Sequence, residues 1–208
     1  MYCRVLSLCA IVVWLLVLSM LIGCQRPEDS RIELTQGQWS DIQSQLLDER
    51  PTPEYEMGVE FDGNIELIGV DVDGSFERGQ EIELTWYWNI LEDIDQDWQI
   101  FVHFDSQDSQ FRQNLDHFPL GEMMNDAYRT YHFEQGHILA DSHRFTLSQD
   151  YPDGEAIFYV GLFRGDERAP VTNDGSATDG HRALGPTITI DDGNDDGPHK
   201  EPTSSPVQ

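Results

Sequence analysis

Lysine is almost missing from this chain of 208 residues: Lys200 stands alone, and arginine supplies the rest of its 12 basic side chains. Against 39 carboxylates the formal net charge is −27. A field of that sign repels phosphodiesters and anionic lipid head groups, so nucleic acid is not expected as a partner of any folded part. Cysteine is scarce too, confined to Cys3, Cys9 and Cys24. Residues 25–208 therefore hold no disulfide, no thiolate nucleophile and no cysteine metal ligand. A domain built from them depends on its apolar core.

Catalytic signatures are likewise missing. Ser106, Ser142 and Ser148 sit in no nucleophile elbow, and no glycine-rich loop stands ready to cradle a phosphate. No paired Cys-x-x-Cys or His-Glu-x-x-His spacing marks a metal centre. Carboxylates are so numerous that no pair stands out as a glycosidase couple. The expectation is a protein without enzymatic activity.

The acidity admits three readings: a solvated surface of the kind common in salty habitats, divalent-cation binding, and a basic partner. Calcium is the natural cation for carboxylate oxygens. Asp71-Val72-Asp73-Gly74 opens like a calcium loop, but Arg78 and Gly79 follow where more oxygen ligands are needed, so a hairpin turn explains it better. The run Asp191-Asp192-Gly193-Asn194-Asp195-Asp196-Gly197 stands alone at the head of a polar end segment and reads as a solvated stretch.

One long apolar run exists, over residues 5–22, behind a start whose only charged side chain is Arg4. Its length alone would also fit a membrane-spanning helix. It closes on Leu21-Ile22-Gly23-Cys24, completing a layout of basic start, apolar middle and small residues at the cut. The segment resembles a bacterial lipoprotein signal with a complete lipobox. That resemblance implies cleavage before Cys24, a covalent lipid on its sulfur and export to the cell envelope. Gln25, in place of the aspartate that retains such proteins at the inner membrane, leans toward the outer membrane. Two or three acyl chains, at ~0.8 kcal/mol per buried methylene, make a firm anchor. The cut removes one arginine and no carboxylate, leaving 11 basic against 39 acidic residues, or −28.

Residues 24–58 read as the lipidated N-terminus and a tether, mixing Pro27, Pro51 and Pro53 with polar side chains. Fully extended, such a segment reaches up to ~100 Å. Within it Trp39, Ile42, Leu46 and Leu47 fall near helical spacing, which predicts a short helix near 39–48 with Ser40 and Gln43 as its capping box. From residue 59 the texture turns to β. Residues 59–72 form one Val/Ile/Leu-rich stretch closing on Asp73-Gly74, and residues 81–91 alternate with Ile82, Leu84, Trp86 and Trp88 on one face. Residues 98–104 repeat the alternation, with Trp98, Ile100, Val102 and Phe104 inward. Further strands are expected over 138–147, 156–164, 168–172 and 186–190, with a turn at Pro152-Asp153-Gly154. About seven strands with turns between them predict an all-β chain: an immunoglobulin-like antiparallel β-sandwich over residues 59–191. Residues 192–208 are expected to be a disordered acidic tail.

Several strand phrases recur together in a known module. They are Phe61-Asp62-Gly63-Asn64-Ile65, Leu84-Thr85-Trp86-Tyr87-Trp88, Ile100-Phe101-Val102-His103-Phe104, Asp116-His117-Phe118-Pro119, Asp141-Ser142-His143, Tyr159-Val160-Gly161-Leu162-Phe163 and Leu184-Gly185-Pro186. The set resembles the immunoglobulin-like β-sandwich module appended to some bacterial membrane glycosyltransferases, across roughly residues 59–191. The resemblance implies an accessory, non-catalytic sandwich. The chain departs from that pattern at Met123-Met124-Asn125, where a Pro-Thr phrase is usual, which puts in question any binding role of that loop.

Two sets of side chains are candidates for a site. The first is His103, Asp116, His117, Asp141 and His143. Alternation places Asp141 and His143 on the face of Leu139, Phe145 and Leu147, where a polar group without a partner costs roughly 1–3 kcal/mol. Either these residues pin the long loop over 116–137 to the sandwich, or they bind a metal such as zinc through imidazole and carboxylate. The second is Tyr87 with Phe101, which alternate away from the core tryptophans and are expected to offer a ligand platform. The functional expectation is a lipid-anchored envelope module for binding or assembly, with an envelope protein or polysaccharide as partner. The alternatives are a carbohydrate-binding domain for envelope polysaccharide and a metal-dependent envelope enzyme.

Overall fold

The computed structural model describes residues 31–173 and 181–191. The expected signal peptide, Cys24 and the tail from residue 192 lie outside them. Strands β1 (Tyr55–Phe61), β2 (Ile65–Asp73), β3 (Glu81–Ile90) and β6 (Ile138–Thr146) form one sheet in the order β1-β2-β3-β6. The second sheet contains β4 (Gln99–Ser106), β5 (Arg112–Asn114), β7 (Gly154–Arg164), β8 (Glu167–Arg168) and β9 (Ala183–Ile190). Its order is β5-β4-β7, with β8 and β9 both pairing β7. All pairings are antiparallel. The chain passes from sheet to sheet after β3, β5 and β6, a Greek-key path of the immunoglobulin-like kind. The fold is an all-β sandwich.

Alternation on β3 decides which face is inside. Ile82, Leu84, Trp86, Trp88 and Ile90 are all at most 1% exposed. Burying each such side chain contributes roughly 1.5–3 kcal/mol before chain entropy is set against it. Across the gap Phe158 of β7 meets Trp86 edge-on at 6.1 Å and stacks on Phe104 of β4 at 4.2 Å. Tyr151 stacks on the same Phe104 at 4.9 Å. The Trp86–Phe158 contact joins the two sheets across the core.

Some elements fall elsewhere than the sequence pattern predicts. The stretch over 59–72 is a hairpin, because Asp62 and Gly63 both adopt the left-handed conformation at φ 53° and 72° and turn β1 back onto β2. The helix α1 spans Gln36–Gln43 rather than 39–48. Thr35, not Ser40, is its N-cap: the Thr35 Oγ1 accepts the Gln38 N–H, and the Gln38 Oε1 accepts the Thr35 N–H at 2.9 Å. Ile42 of this helix is fully buried in the core, so much of the expected tether belongs to the sandwich. β5 has no apolar alternation and was not expected. The strand expected over 168–172 shrinks to Glu167–Arg168 and a bridge from Val171 to Phe61, while β9 starts three residues before its expected Pro186.

Both edges of the first sheet are covered. Along β1 the Asp62 N–H donates to the Pro170 carbonyl at 2.8 Å and the Thr172 N–H to Glu60 at 2.9 Å. Along β6 the Ala140 N–H donates to Gln45 at 2.9 Å and the Leu47 N–H to Ile138 at 2.8 Å. Between these, the segment after Leu47 crosses the outer face of β2. Arg50 forks onto Glu66 at 2.8 and 2.6 Å, and the Glu54 N–H donates to Asp71 at 2.6 Å. Gly69 makes that crossing possible, since a side chain there would run into the Tyr55 carbonyl and Pro53.

Candidate functional site

After β5 the chain keeps to the flank of β4. Leu115 N–H donates to Val102 at 2.8 Å, and His117 exchanges both backbone hydrogen bonds with Ile100 at 2.9 and 3.0 Å. That register turns the His117 side chain toward β6 of the opposite sheet. Its Nε2 lies 3.0 Å from Asp141 Oδ2 and its Nδ1 2.8 Å from the Leu115 carbonyl. Both neighbours are acceptors, so the ring that satisfies them is an imidazolium donating from each nitrogen. Burial works against that proton, and the Asp141 carboxylate overcomes it, so His117 is held above the ordinary imidazole pKa. Asp141 is wholly buried.

The second oxygen of Asp141 accepts the Leu120 N–H at 2.7 Å. Leu120 is in the left-handed region at φ 53°, unusual for a leucine, and Asn125 and Asp126 follow at φ 47° and 59°. One buried carboxylate therefore ties down a strained loop that contains the short helix α2 (Gly121–Met124). His143, two residues along β6, stacks on His117 with centroids 4.6 Å apart and planes 11° from parallel.

His103 and Asp116 form a separate pair on the outer face of the second sheet. His103 Nε2 is 3.4 Å from Asp116 Oδ1, which also accepts the Val102 N–H at 3.1 Å, while Asn114 donates to Oδ2 at 3.1 Å. Burial pushes the Asp116 carboxyl upward, and the bonds from His103 and Asn114 outweigh it, leaving the pKa lowered. The five candidate residues thus divide into a triad of His117, His143 and the wholly buried Asp141 and an outer pair of His103 and Asp116. Among the described residues no group of three His, Cys, Asp or Glu side chains is placed to hold a metal ion.

The two groups meet at an open cleft of about 290 Å³ lined by Gln99, Asp116, His117, Phe118, Gly121, Asp126 and His143. Arg129 sits 3.6 Å over the Phe118 ring and forks onto Asp97 at 2.9 and 2.6 Å, which fixes the aromatic wall. Gln99, Phe118 and Asp126 were not among the candidate site residues expected from the sequence. Asn125-Asp126 is the one legible hint, since both residue types tolerate a left-handed backbone at a tight turn. With both nitrogens engaged, His117 has no lone pair left to take a substrate proton. The cleft offers hydrogen-bonding groups and the Phe118 ring.

The Tyr87–Phe101 platform is a correction. The two lie on different sheets, β3 and β4, and face opposite sides of the sandwich. Phe101 is 2% exposed. Its ring lies against Gly161 of β7, where any side chain would strike it, and Arg168 covers it at 4.8 Å. Tyr87 is half-buried, and its hydroxyl donates to Asp71 at 2.7 Å. Burial and Asp71 together push its pKa up to about 12.

No family model matches the chain, and no curated protein matches its sequence. Among solved structures it is similar to the crystal structure of the C-terminal domain of wzt. The TM-score is 0.46 at 14% identity, over 70% of this chain and 88% of that one. A likeness that distant says nothing of ligand or activity.

Proposed function

We propose that this protein is a non-enzymatic binding module of the bacterial cell envelope, anchored by lipid on Cys24, whose cleft holds a polyhydroxy ligand such as an envelope polysaccharide. The cleft carries this reading. Its rim groups Gln99, Asp116, Asp126 and His143 are hydrogen-bonding side chains of the sort that suit sugar hydroxyls, and Phe118 supplies an apolar wall. Its floor is held rigid by the His117–Asp141 pair, so little ordering cost attends binding. The lipobox supports the anchor, and Gln25 supports the outer membrane as its place.

The test has two arms. Full-length protein in its native host is labelled with a palmitate analogue; label that depends on Cys24 and is lost in Cys24→Ser supports the anchor, and label that persists in that variant removes it. Purified protein is then titrated with polysaccharide extracted from the same envelope. Binding that weakens at least tenfold in Asp126→Ala, an exposed position, supports the cleft. Binding untouched by that change, or none with any extracted glycan, sinks the cleft reading.

A further inference from the structure

The cleft is built to accept hydrogen bonds more than to give them. His117 spends both of its N–H donors inside the protein, on Asp141 at 3.0 Å and on the Leu115 carbonyl at 2.8 Å. Arg129, over the Phe118 ring, forks onto Asp97. Each of these two cations is thus already matched by a carboxylate. What remains at the rim is a pair of further carboxylates, Asp116 and Asp126, beside the Gln99 amide.

Asp126 is exposed, and among the described residues its carboxylate makes no hydrogen bond or ion pair. Its backbone is nonetheless fixed, at φ 59° with the N–H donating to the Gly121 carbonyl at 3.3 Å. Gly121 keeps the near side of that carboxylate clear, since a side chain there would come within 3.2 Å of Asp126 Oδ1. Asp116 is more engaged. Its Oδ1 accepts the Val102 N–H with His103 3.4 Å away, and its Oδ2 accepts the Asn114 amide. A carboxylate oxygen has two lone pairs, so Oδ2 retains one for a further donor. The group that completes such a rim is a cation rich in donors.

We propose that the cleft selects an amino sugar, with its ammonium on Asp126, Asp116 as second acceptor, and its ring against Phe118. This rests on the cleft reading above and narrows it from sugar hydroxyls in general to a sugar that carries a positive charge. An ammonium has three donors and no acceptor, the converse of this rim. The same two carboxylates turn away an acidic sugar, as does a chain of net charge −27. A sugar is favoured over a lysine side chain because Phe118 offers a surface to a ring face and Gln99 an amide to its hydroxyls. Size agrees: a cleft of about 290 Å³ stands at the small end of ligand sites and suits a single ring.

The experiment is calorimetric titration of the full-length protein in detergent with a glucosamine trimer, its fully N-acetylated counterpart and trilysine. The glucosamine trimer should bind. The acetylated trimer, which keeps the rings and loses the charge, should bind at least tenfold more weakly, and raising NaCl should weaken the charged trimer alone. Asp126→Asn, whose side chain suits the same left-handed backbone, should cost the glucosamine trimer about tenfold in affinity, as expected when a charge-assisted bond is removed. Asp166→Asn, at an exposed carboxylate on the turn between β7 and β8, should leave that affinity unchanged. Equal losses in the two variants, or trilysine binding as tightly as the glucosamine trimer, would overturn the proposal in favour of general attraction to an acidic chain. No binding of the glucosamine trimer would also overturn it. Equal binding of the two sugar trimers, both weakened by Asp126→Asn, would overturn the ammonium while leaving the cleft as a glycan site. Only the failure of every extracted glycan reaches the cleft reading itself.

Discussion

Replacing Asp141 tests the buried pair at the base of the cleft. Its two oxygens serve the His117 imidazolium and the Leu120 N–H, and it has no exposure to solvent. Asp141→Ala removes one partner of a buried ion pair, which costs about 3–5 kcal/mol. That sum includes a Leu120 donor left without its acceptor in a backbone conformation that already costs a leucine roughly 1–2 kcal/mol. For a chain of this size Tm falls roughly 2–4 °C per kcal/mol, so the variant should melt about 6–20 °C below the parent. Asp141→Asn is milder. Its amide oxygen still accepts from Leu120 and its amide nitrogen donates to a neutral His117, so only the charge assistance is lost, about 1–2 kcal/mol. The two variants also differ from the parent in pH response. His117 has a raised pKa in the folded state, so its contribution is complete below the unfolded value of about 6.5 and is lost as pH rises through the folded value. Urea denaturation between pH 6 and 9 should show parental stability falling across that range, and Asp141→Asn should lack this decline. An Asp141→Ala variant within about 1 kcal/mol of the parent at pH 6, or identical pH slopes for parent and Asp141→Asn, would refute the buried imidazolium.

Gly69→Ala places a methyl group against the Tyr55 carbonyl and Pro53; the crossing segment must lift, and chemical denaturation should report a loss of about 1–3 kcal/mol. The same change should speed proteolysis near Arg50, whose fork onto Glu66 depends on that crossing; an unchanged cleavage rate would contradict it. Thr35→Ala removes the N-cap of α1 and should cost about 1 kcal/mol by thermal melting, whereas Ser40→Ala, at the cap expected from sequence, should leave Tm unchanged.

The sandwich was legible because burial and alternation coincide. β3, β4, β6 and β7 each carry a run of inward side chains at period two, and the sheets follow. The hairpin at Asp62-Gly63 was equally written in the sequence, as an Asp-Gly pair between alternating apolar residues, but a continuous apolar texture on both sides hid it. β5 was not legible, since Arg112-Gln113-Asn114 is held by its pairing with β4 and by the Arg112 fork onto Asp105 at 2.6 Å rather than by apolar burial. Phe101 shows the limit of alternation more sharply. Its parity correctly sends it outward, yet it is buried there, because the residue opposite on β7 is glycine and an arginine from β8 closes over the ring. Which residue lies opposite is a property of register between strands about sixty positions apart, and one sequence does not state it. The same holds for His117 and Asp141, whose meeting depends on a loop path set by left-handed residues.

The place of α1 changes what the anchor can do. Expected as a free segment through residue 58, the tether loses its later part to the sandwich, where Ile42 joins the core and Gln45 and Leu47 cover the edge of β6. The unit that contains the sandwich begins at Leu34. Under the proposed lipidation of Cys24, only residues 25–33 remain as spacer, with a reach of roughly 30 Å when fully extended in place of ~100 Å. That is still several Debye lengths at physiological salt, where screening falls off over about 8 Å. A mature chain of net charge −28 can therefore be leashed to an anionic surface without its carboxylates being forced against head groups. Shortening the spacer by seven residues, to a reach of about 7 Å, would bring the acidic domain within the screening length. Membrane retention of such a variant should then become dependent on salt, which the parent's should not.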